Sequence, residues 1–344
     1  MLFSIIVLVH KTDLPLLKRC FRSIQEQSFS DFECVIVCDD GSSPDDILPK
    51  DSRFKMVSVS ACSVGKARNA GLSASLGSYI VFVDSDDMIA PSFLLGAFNL
   101  LQKKKYDLIC FGYSRNIDSV FSSKLDMALG SDLNEAQKQK AFLDGIFVDS
   151  ANNKLVVPLT CWGKIFSKET LSQNLVRFCD GLGIGEDVQF VAAFSVVSSK
   201  CYLNLPFVAY FYCDRSDSAM KTINTDFSWL EIGAQETIKT LSLPSVDPIY
   251  LKSAPKYYLS NLVHLCFRVF STNGVCTRKD GKRMLRTAFP KNGALSHLIR
   301  PSSFKGLQRK LLSFALHYRL FGFAFFLIKM IYNSFLKQGK AASV

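Results

Sequence analysis

V-F-V-D-S-D-D-M-I, residues 81–89, is the stretch on which the reading of this chain turns. An apolar strand, Tyr79–Val83, runs straight into three carboxylates, Asp84, Asp86 and Asp87. In open α/β sheets, ligands bind outside the carboxyl ends of the strands. Carboxylates converging there repel one another unless a cation sits among them. Mg²⁺ and Mn²⁺ take oxygen ligands, commonly one or two carboxylates with substrate phosphates. The stretch therefore reads as a metal-and-diphosphate site. Taken alone, D-x-D reads equally as a solvated acidic turn, because Asp and Ser are ordinary turn residues. The flanking sequence decides between the two.

Upstream, the same architecture repeats. Ser4–Val9 is a continuous apolar, β-branched run, as expected of a strand covered on both faces. Leu16, Leu17, Cys20, Phe21 and Ile24 then fall on one helical face. Cys34–Cys38 predicts a second buried strand, ending in Asp39-Asp40-Gly41-Ser42. A short strand at Met56–Ser60 and a helix over Gly65–Leu76 lead to the Tyr79–Val83 strand. Alternating strands and helices predict an α/β fold, Rossmann-like, with a mostly parallel sheet flanked by helices. Two strand ends carrying acids imply a nucleotide held across the top of that sheet.

In order and spacing, these segments resemble a family 2 glycosyltransferase of the GT-A fold, of the type that builds bacterial surface polysaccharides. The resemblance rests on S-I-I-V-L-V-H-K at the start, D-D-G-S at 39–42, G-K-A-R-N-A-G at 65–71 and D-S-D-D at 84–87. It continues through W-G-K-I-F at 162–166 and G-E-D-V-Q-F at 185–190, and covers roughly the first two-thirds of the chain. It implies roles position by position. Asp40 would hydrogen-bond the uracil ring. Asp86 would be the direct metal ligand, with Asp84 near the ribose and metal. Arg68 and Asn69 would line the nucleotide pocket. Asp187 would be the catalytic base, with Glu186 beside it. Trp162 and Lys164 would help form the acceptor subsite, and Arg215 with Ser218 would lie near the diphosphate. Each has a plainer reading: a turn Asp, a helix-surface pair, acids at a helix start, a core Trp, an ordered surface loop.

Two positions depart from the family pattern. His10-Lys11 stands where relatives usually have Tyr-Asn, so imidazole would cover the base, or Lys11 would approach a phosphate. Cys213 stands where relatives commonly carry a basic residue.

The implied chemistry is one displacement at the anomeric carbon. Mn²⁺ or Mg²⁺ on Asp86 would neutralise the departing diphosphate as a Lewis acid, and Asp187 would take the acceptor proton. A single displacement inverts the centre, giving a β-glycoside from an α-linked UDP-sugar. The expected acceptor is a hydroxyl of a glycan or lipid-linked oligosaccharide. A catalytically impaired binding or scaffold protein of the same fold is the alternative, as is another nucleotide-dependent transferase. No G-x-G-x-x-G follows the first strand, which argues against a dinucleotide fold.

At 344 residues the chain exceeds a usual single domain. The expected division is a glycosyltransferase domain over 1–220 and a helical, basic C-terminal region over 221–344. From Tyr250 onward there are 17 Lys or Arg against one acid, Asp280, a net of +16, so the first 249 residues carry −5 of the chain's +11. Such asymmetry points to an anionic surface beside the C-terminal part. Nucleic acid is not expected: no binding motif is present, and the cations are mixed with large apolar residues. Residues 311–336 contain L-F-G-F-A-F-F-L-I at 320–328. A spanning helix needs about 20 mainly apolar residues. His317, Arg319 and Lys329 interrupt this run, which suggests a helix lying in a membrane interface, with a core or partner helix as the alternative. Leu2–Val9 is too short for a signal peptide and leads directly into the fold. Eleven scattered cysteines without C-x-x-C spacing fit a reducing compartment. The expected location is cytoplasmic, peripheral to the inner face of the membrane.

Overall fold

A computed structural model describes residues 1–39, 47–60, 63–147, 157–182, 184–214, 226–272 and 277–337. The chain separates into two compact units, Met1–Phe142 with Val157–Arg215, and Leu143–Val156 with Ser216–Val344. Residues 143–147, expected in the first domain, group with the helical unit. Among the described residues Tyr250 Oη donates to Asp144 Oδ1 at 2.8 Å, and the Phe147 ring meets Tyr257 edge-on.

The first unit is α/β. Its strands are β1 (Phe3–Val9), β2 (Phe32–Asp39), β3 (Phe54–Val59), β4 (Tyr79–Asp84), β5 (Met88–Ile89), β6 (Leu108–Ser114), β7 (Ser131–Leu133), β8 (Lys164–Ser167) and β9 (Cys201–Phe211). Among the described residues they form one sheet in the order β3-β2-β1-β4-β8-β6-β9-β5, with β7 beside β9. The β3-β2-β1-β4 half is parallel throughout, and β6 runs parallel to β9. Antiparallel β8 is wedged between β4 and β6. Strands covered on both faces are continuously apolar, and β1 and β2 are buried along nearly their whole length. Phe3, Ile5, Val7, Cys34, Ile36, Val81 and Val83 form the core with Leu17, Cys20, Phe21 and Ile24 of the Leu14–Gln25 helix.

The Val64–Ala74 helix starts at Ser63, whose hydroxyl accepts the Lys66 N–H. It buries Gly65, Ala67, Arg68, Gly71 and Leu72. A Cβ on Gly71 would lie 2.5 Å from Ile6 Cγ2, so only glycine permits this approach to β1. That contact fixes the helix, and with it the direction of Arg68 one turn earlier.

Residues 157–161, which lead into β8, form no strand. Pro158 offers no N–H to a ladder, and the Val157 N–H donates to Ala141 O instead. Trp162 makes an isolated bridge to Phe82 before β8 begins.

The second unit's described residues are helical: Trp229–Leu241, Pro248–Thr272, Arg278–Ala288, Ala294–Leu298, Leu307–His317 and Phe321–Lys337. The single run expected over 311–336 is two helices. Arg319 sits between them at φ +59, a conformation that ends a right-handed helix, and its guanidinium donates to Phe289 O. Arg319 therefore does not share a helix face with Lys329 and Asn333. Among the described residues no helix is long and apolar enough to cross a membrane.

Candidate active site

Where β4 ends, the chain turns at once, and the Asp87 N–H donates to Asp84 O at 3.0 Å. This turn sends the three acids to different places. Asp84 stays partly exposed, Asp86 is half-buried, and Asp87 is fully buried. Asp87 accepts from Tyr210 Oη at 2.6 Å and from the Cys213 N–H at 2.7 Å. Tyr210 Oη in turn accepts the Asp84 N–H at 3.1 Å. Asp87 thus ties the acidic turn to the end of β9, and of the three acids Asp84 and Asp86 keep some exposure. Burial first, and then the neighbouring Asp84 carboxylate, push Asp87 up to about 8.

Facing Asp84 is Arg68, 5% exposed. Its Nη2 donates to Asp84 Oδ1 at 3.3 Å, and its Nη1 donates to Glu186 Oε1 at 2.9 Å and to Asp187 Oδ1. Glu186 and Asp187 open the Glu186–Val197 helix, immediately after Gly185 at φ +85. Acids at that position also suit the positive end of the helix. Asp187 Oδ2 accepts the Cys161 N–H at 3.2 Å. One guanidinium therefore faces three carboxylates. The deficit of positive charge is visible: burial, with Asp187 and Asp86 nearby, pushes Asp84 up to about 6 despite Arg68. Burial and Asp187 likewise raise Glu186. On Arg68 burial acts to lower the pKa, but the surrounding anions outweigh it and hold the guanidinium charged.

This donor set fits a hard divalent cation of the kind that takes one or two carboxylates and completes its shell with phosphate and water. Among the described residues no group of three or more His, Cys, Asp or Glu is placed to hold a metal by protein ligands alone.

Asn69 is occupied differently from the expectation that it lines a nucleotide pocket. Its Nδ2 donates to Phe178 O at 2.8 Å, and its Oδ1 accepts the Phe178 N–H at 3.0 Å. That clamp sets Phe178 against Phe190, with ring centroids 3.9 Å apart, and under the Arg68 guanidinium. Trp162 and Lys164, expected at the acceptor, are both interior. Trp162 stacks on Tyr210 at 4.7 Å and on Tyr212 at 5.6 Å. Lys164 is enclosed at the start of β8, where its Nζ donates to Thr160 O at 2.8 Å and burial lowers its pKa. His10 and Lys11 are exposed just beyond β1. Lys11 has φ +50, a conformation that Asn tolerates well. Asp40, Arg215 and Ser218 lie outside the described residues.

Sequence reasoning missed Tyr210, which looks like any aromatic in an apolar strand. It also missed Arg19. From the Leu14–Gln25 helix, Arg19 Nη2 donates to Asp86 O and to Cys213 Sγ, each at 3.3 Å. A cation thus reaches the neighbourhood of Cys213 from a different element, and nothing in the local pattern around Arg19 signals it.

Comparison with known proteins agrees with this geometry. Residues 4–156 match the profile described as glycosyl transferase family 2. Those residues are thus similar to a family 2 glycosyltransferase domain. It is 35% identical over 96 residues to EpsH of Bacillus subtilis, a match covering 26% of this chain and 27% of EpsH, whose name assigns it to the glycosyltransferases. It is 32% identical over 121 residues to WfaP of Escherichia coli, named a UDP-Glc:alpha-D-GlcNAc-diphosphoundecaprenol beta-1,3-glucosyltransferase, covering 32% of this chain and 47% of WfaP. The matched stretches thus span well under two-thirds of either relative. Among solved structures, residues 1–349 of S. aureus TarS in complex with UDP-GlcNAc superpose with a TM-score of 0.64 at 16% identity, covering 99% of this chain and 93% of that one. This likeness identifies the fold as that of TarS.

Proposed function

We propose that this chain is an inverting glycosyltransferase that moves a sugar from a UDP-sugar to a hydroxyl of a glycan or lipid-linked acceptor in bacterial surface-polysaccharide synthesis. The observation that carries the reading is the Arg68 junction. One side chain brings the D-x-D turn at Asp84 together with the Glu186-Asp187 pair, elements far apart in sequence. Donor and acceptor chemistry need that proximity, because reacting atoms must be held about 3–3.5 Å apart.

Asp84 and Asp86 would hold Mn²⁺ or Mg²⁺ with the donor diphosphate. When bound, the cation would supply Lewis-acid stabilisation of the leaving group. Arg68 keeps Asp84 and Asp187 in a common orientation. Asp187 accepts the proton of the attacking hydroxyl, and Glu186 lies on the acceptor side of it. One base and no carboxylate nucleophile suffice for a single displacement with inversion. The name of WfaP supports this reading, since a β-glucosidic product from UDP-glucose is an inverted one. The UDP-GlcNAc held by TarS supports a UDP-sugar as donor. A cytoplasmic position at the inner face of the membrane follows from a lipid-linked acceptor.

The full chain incubated with UDP-, GDP- and dTDP-sugars and Mn²⁺ should release nucleotide from a UDP-sugar alone. Asp187→Asn keeps an acceptor for the Cys161 N–H and removes the base. Transfer should fall by about 10²-fold or more, with UDP affinity in calorimetry retained. Nucleotide bound but never released would instead indicate a binding protein, and an active Asn variant would remove Asp187 from the role of base.

A further inference from the structure

The last two helices each cover one face and leave the other bare. In Leu307–His317 the buried positions are Leu312, Ser313, Ala315 and Leu316. In Phe321–Lys337 they include Phe321, Ala324, Phe325, Leu327 and Ile328. Phe325 packs edge-on against Phe270 of the Pro248–Thr272 helix. It also lies so close to the Arg278–Ala288 helix that a Cβ on Gly281 would meet its ring at 2.0 Å. The inward faces are therefore fully employed.

The outward faces are apolar too. Leu307, Leu311, Phe314 and Tyr318 recur at i, i+4, i+7 and i+11, one stripe of a helix. Phe323, Phe326 and Met330 recur at i, i+3 and i+7 on the next helix, and all seven side chains are exposed, Phe326 by 59%. Large apolar side chains clustered on the outside of a folded unit mark an interaction surface. Along the second helix they border an open groove of about 450 Å³, lined by Phe326, Lys329, Met330, Asn333 and Ser334.

The border of these stripes is cationic. Lys310 and Lys329 flank them on their own helices and are exposed. Arg278 and Lys282 reach in from the neighbouring helix. A Cβ on Gly322 would lie 2.8 Å from Lys282 Cε and 3.0 Å from Arg278 Nη2, so the glycine leaves room for two cations beside Phe323. The one acid of this quarter, Asp280, caps its own helix: its Oδ2 accepts from Thr277 Oγ1 at 2.5 Å. The surface therefore offers protruding aromatic and aliphatic side chains within a positive rim, and Asp280 is engaged by Thr277 and by Arg283, a cation outside that rim. A lipid interface presents the complement, with phosphate at headgroup depth and acyl carbon below it.

We propose that the outward faces of Leu307–His317 and Phe321–Lys337, rimmed by Arg278, Lys282, Lys310 and Lys329, dock on the surface of an anionic bilayer. Each helix lies along the interface with its exposed stripe among the upper acyl carbons. The proposal deepens the reading of a lipid-linked acceptor. Its test needs neither donor nor acceptor, so failure here leaves the transfer reaction standing.

The full chain is sedimented with vesicles of phosphatidylglycerol and phosphatidylcholine, and with phosphatidylcholine alone, at low and high salt. Binding to the anionic vesicles should be strong at low salt and weaken at high salt without vanishing. Lys282→Gln with Lys329→Gln should lower affinity about 25-fold at low salt, at about fivefold per cation. Phe323→Ser with Phe326→Ser should abolish the salt-resistant part. Retained UDP affinity shows that the transferase unit of each variant is intact, and an unchanged helical circular dichroism spectrum does the same for the substituted helices. Equal binding to neutral vesicles, or wild-type binding by both variants, overturns the proposal. So does a chain that ignores vesicles and instead self-associates through these faces, because the stripe then belongs to a second copy.

Discussion

The transferase unit and the helical unit break the ordinary rule of burial in opposite directions. Around Arg68 the first hides charge: a buried guanidinium holds the carboxylates of Asp84, Glu186 and Asp187, which are partly withdrawn from water. The second does the reverse at its last two helices, with Phe314 and Phe326 in solvent and lysines around them. Each departure costs free energy in the isolated protein. The opposite costs imply opposite partners. Buried anions in excess of cations await a cation. Exposed apolar side chains within a cationic rim await an apolar, anionic surface.

The sharpest way to break this comparison is to neutralise one cation in each unit. Arg68→Met takes the guanidinium away from three carboxylates, and removing one member of a buried ion cluster costs about 3–5 kcal/mol. Denaturant unfolding of the donor-free protein should register that loss. Lys282→Met, on the exposed rim, should stay within about 0.5 kcal/mol of wild type. Mn²⁺ with UDP should restore part of the loss in Arg68→Met, because the cation would lie against Asp84, one of those carboxylates. Equal and small losses in both variants would mean that the Arg68 cluster is solvated, and its role as junction would fall.

A smaller effect follows from Asp87. Its folded-state pKa, about 8, lies above the usual carboxylate range because of burial and Asp84. A raised pKa means that the fold prefers the neutral acid. Its contribution is therefore present in full at pH 4 and declines as the pH rises through 8. Donor-free protein should lose about 2–4 kcal/mol between pH 5 and pH 8, since a tenfold change in proton affinity is worth about 1.4 kcal/mol. Asp87→Asn keeps an acceptor for the Cys213 N–H and cannot ionise, so its stability should vary much less over that range. An unchanged slope in Asp87→Asn would assign the pH dependence to Asp84 and Glu186 instead.

The two units also differ in how legibly they are written. Buried parallel strands are continuous apolar runs, so β1, β2 and β4 are found within two or three residues of their expected limits. Asp84, Arg68 and Asp187 stand in short motifs, and the structure brings these three together. What could not be read locally was direction. Asp86 and Asp87 are adjacent, yet only Asp87 turns inward, because Tyr210 and Cys213, over a hundred residues later, supply its donors. The same motif that brought Trp162 and Lys164 to notice did not disclose that β8 lies between β4 and β6, where side chains are enclosed. In the helical unit, composition signalled a basic, apolar region, but the break at Arg319 depends on a left-handed residue and a tertiary hydrogen bond to Phe289.

The smallest predicted effect concerns Lys11, one of the residues at which the transferase unit departs from the family pattern it resembles. Lys11 holds φ +50 directly after β1, and a left-handed conformation costs a long L side chain roughly 1–2 kcal/mol. Asn adopts it more readily, so Lys11→Asn should raise stability by about 0.5–1 kcal/mol in denaturant unfolding. The position is also one from which an ammonium could approach a phosphate. The two roles separate cleanly in calorimetry of UDP with Mn²⁺. A more stable variant with unchanged affinity makes Lys11 a tolerated strain and nothing more. If stability rises while affinity falls by about tenfold, the strain is kept for the sake of the ligand, and the lysine belongs among the groups that hold the donor.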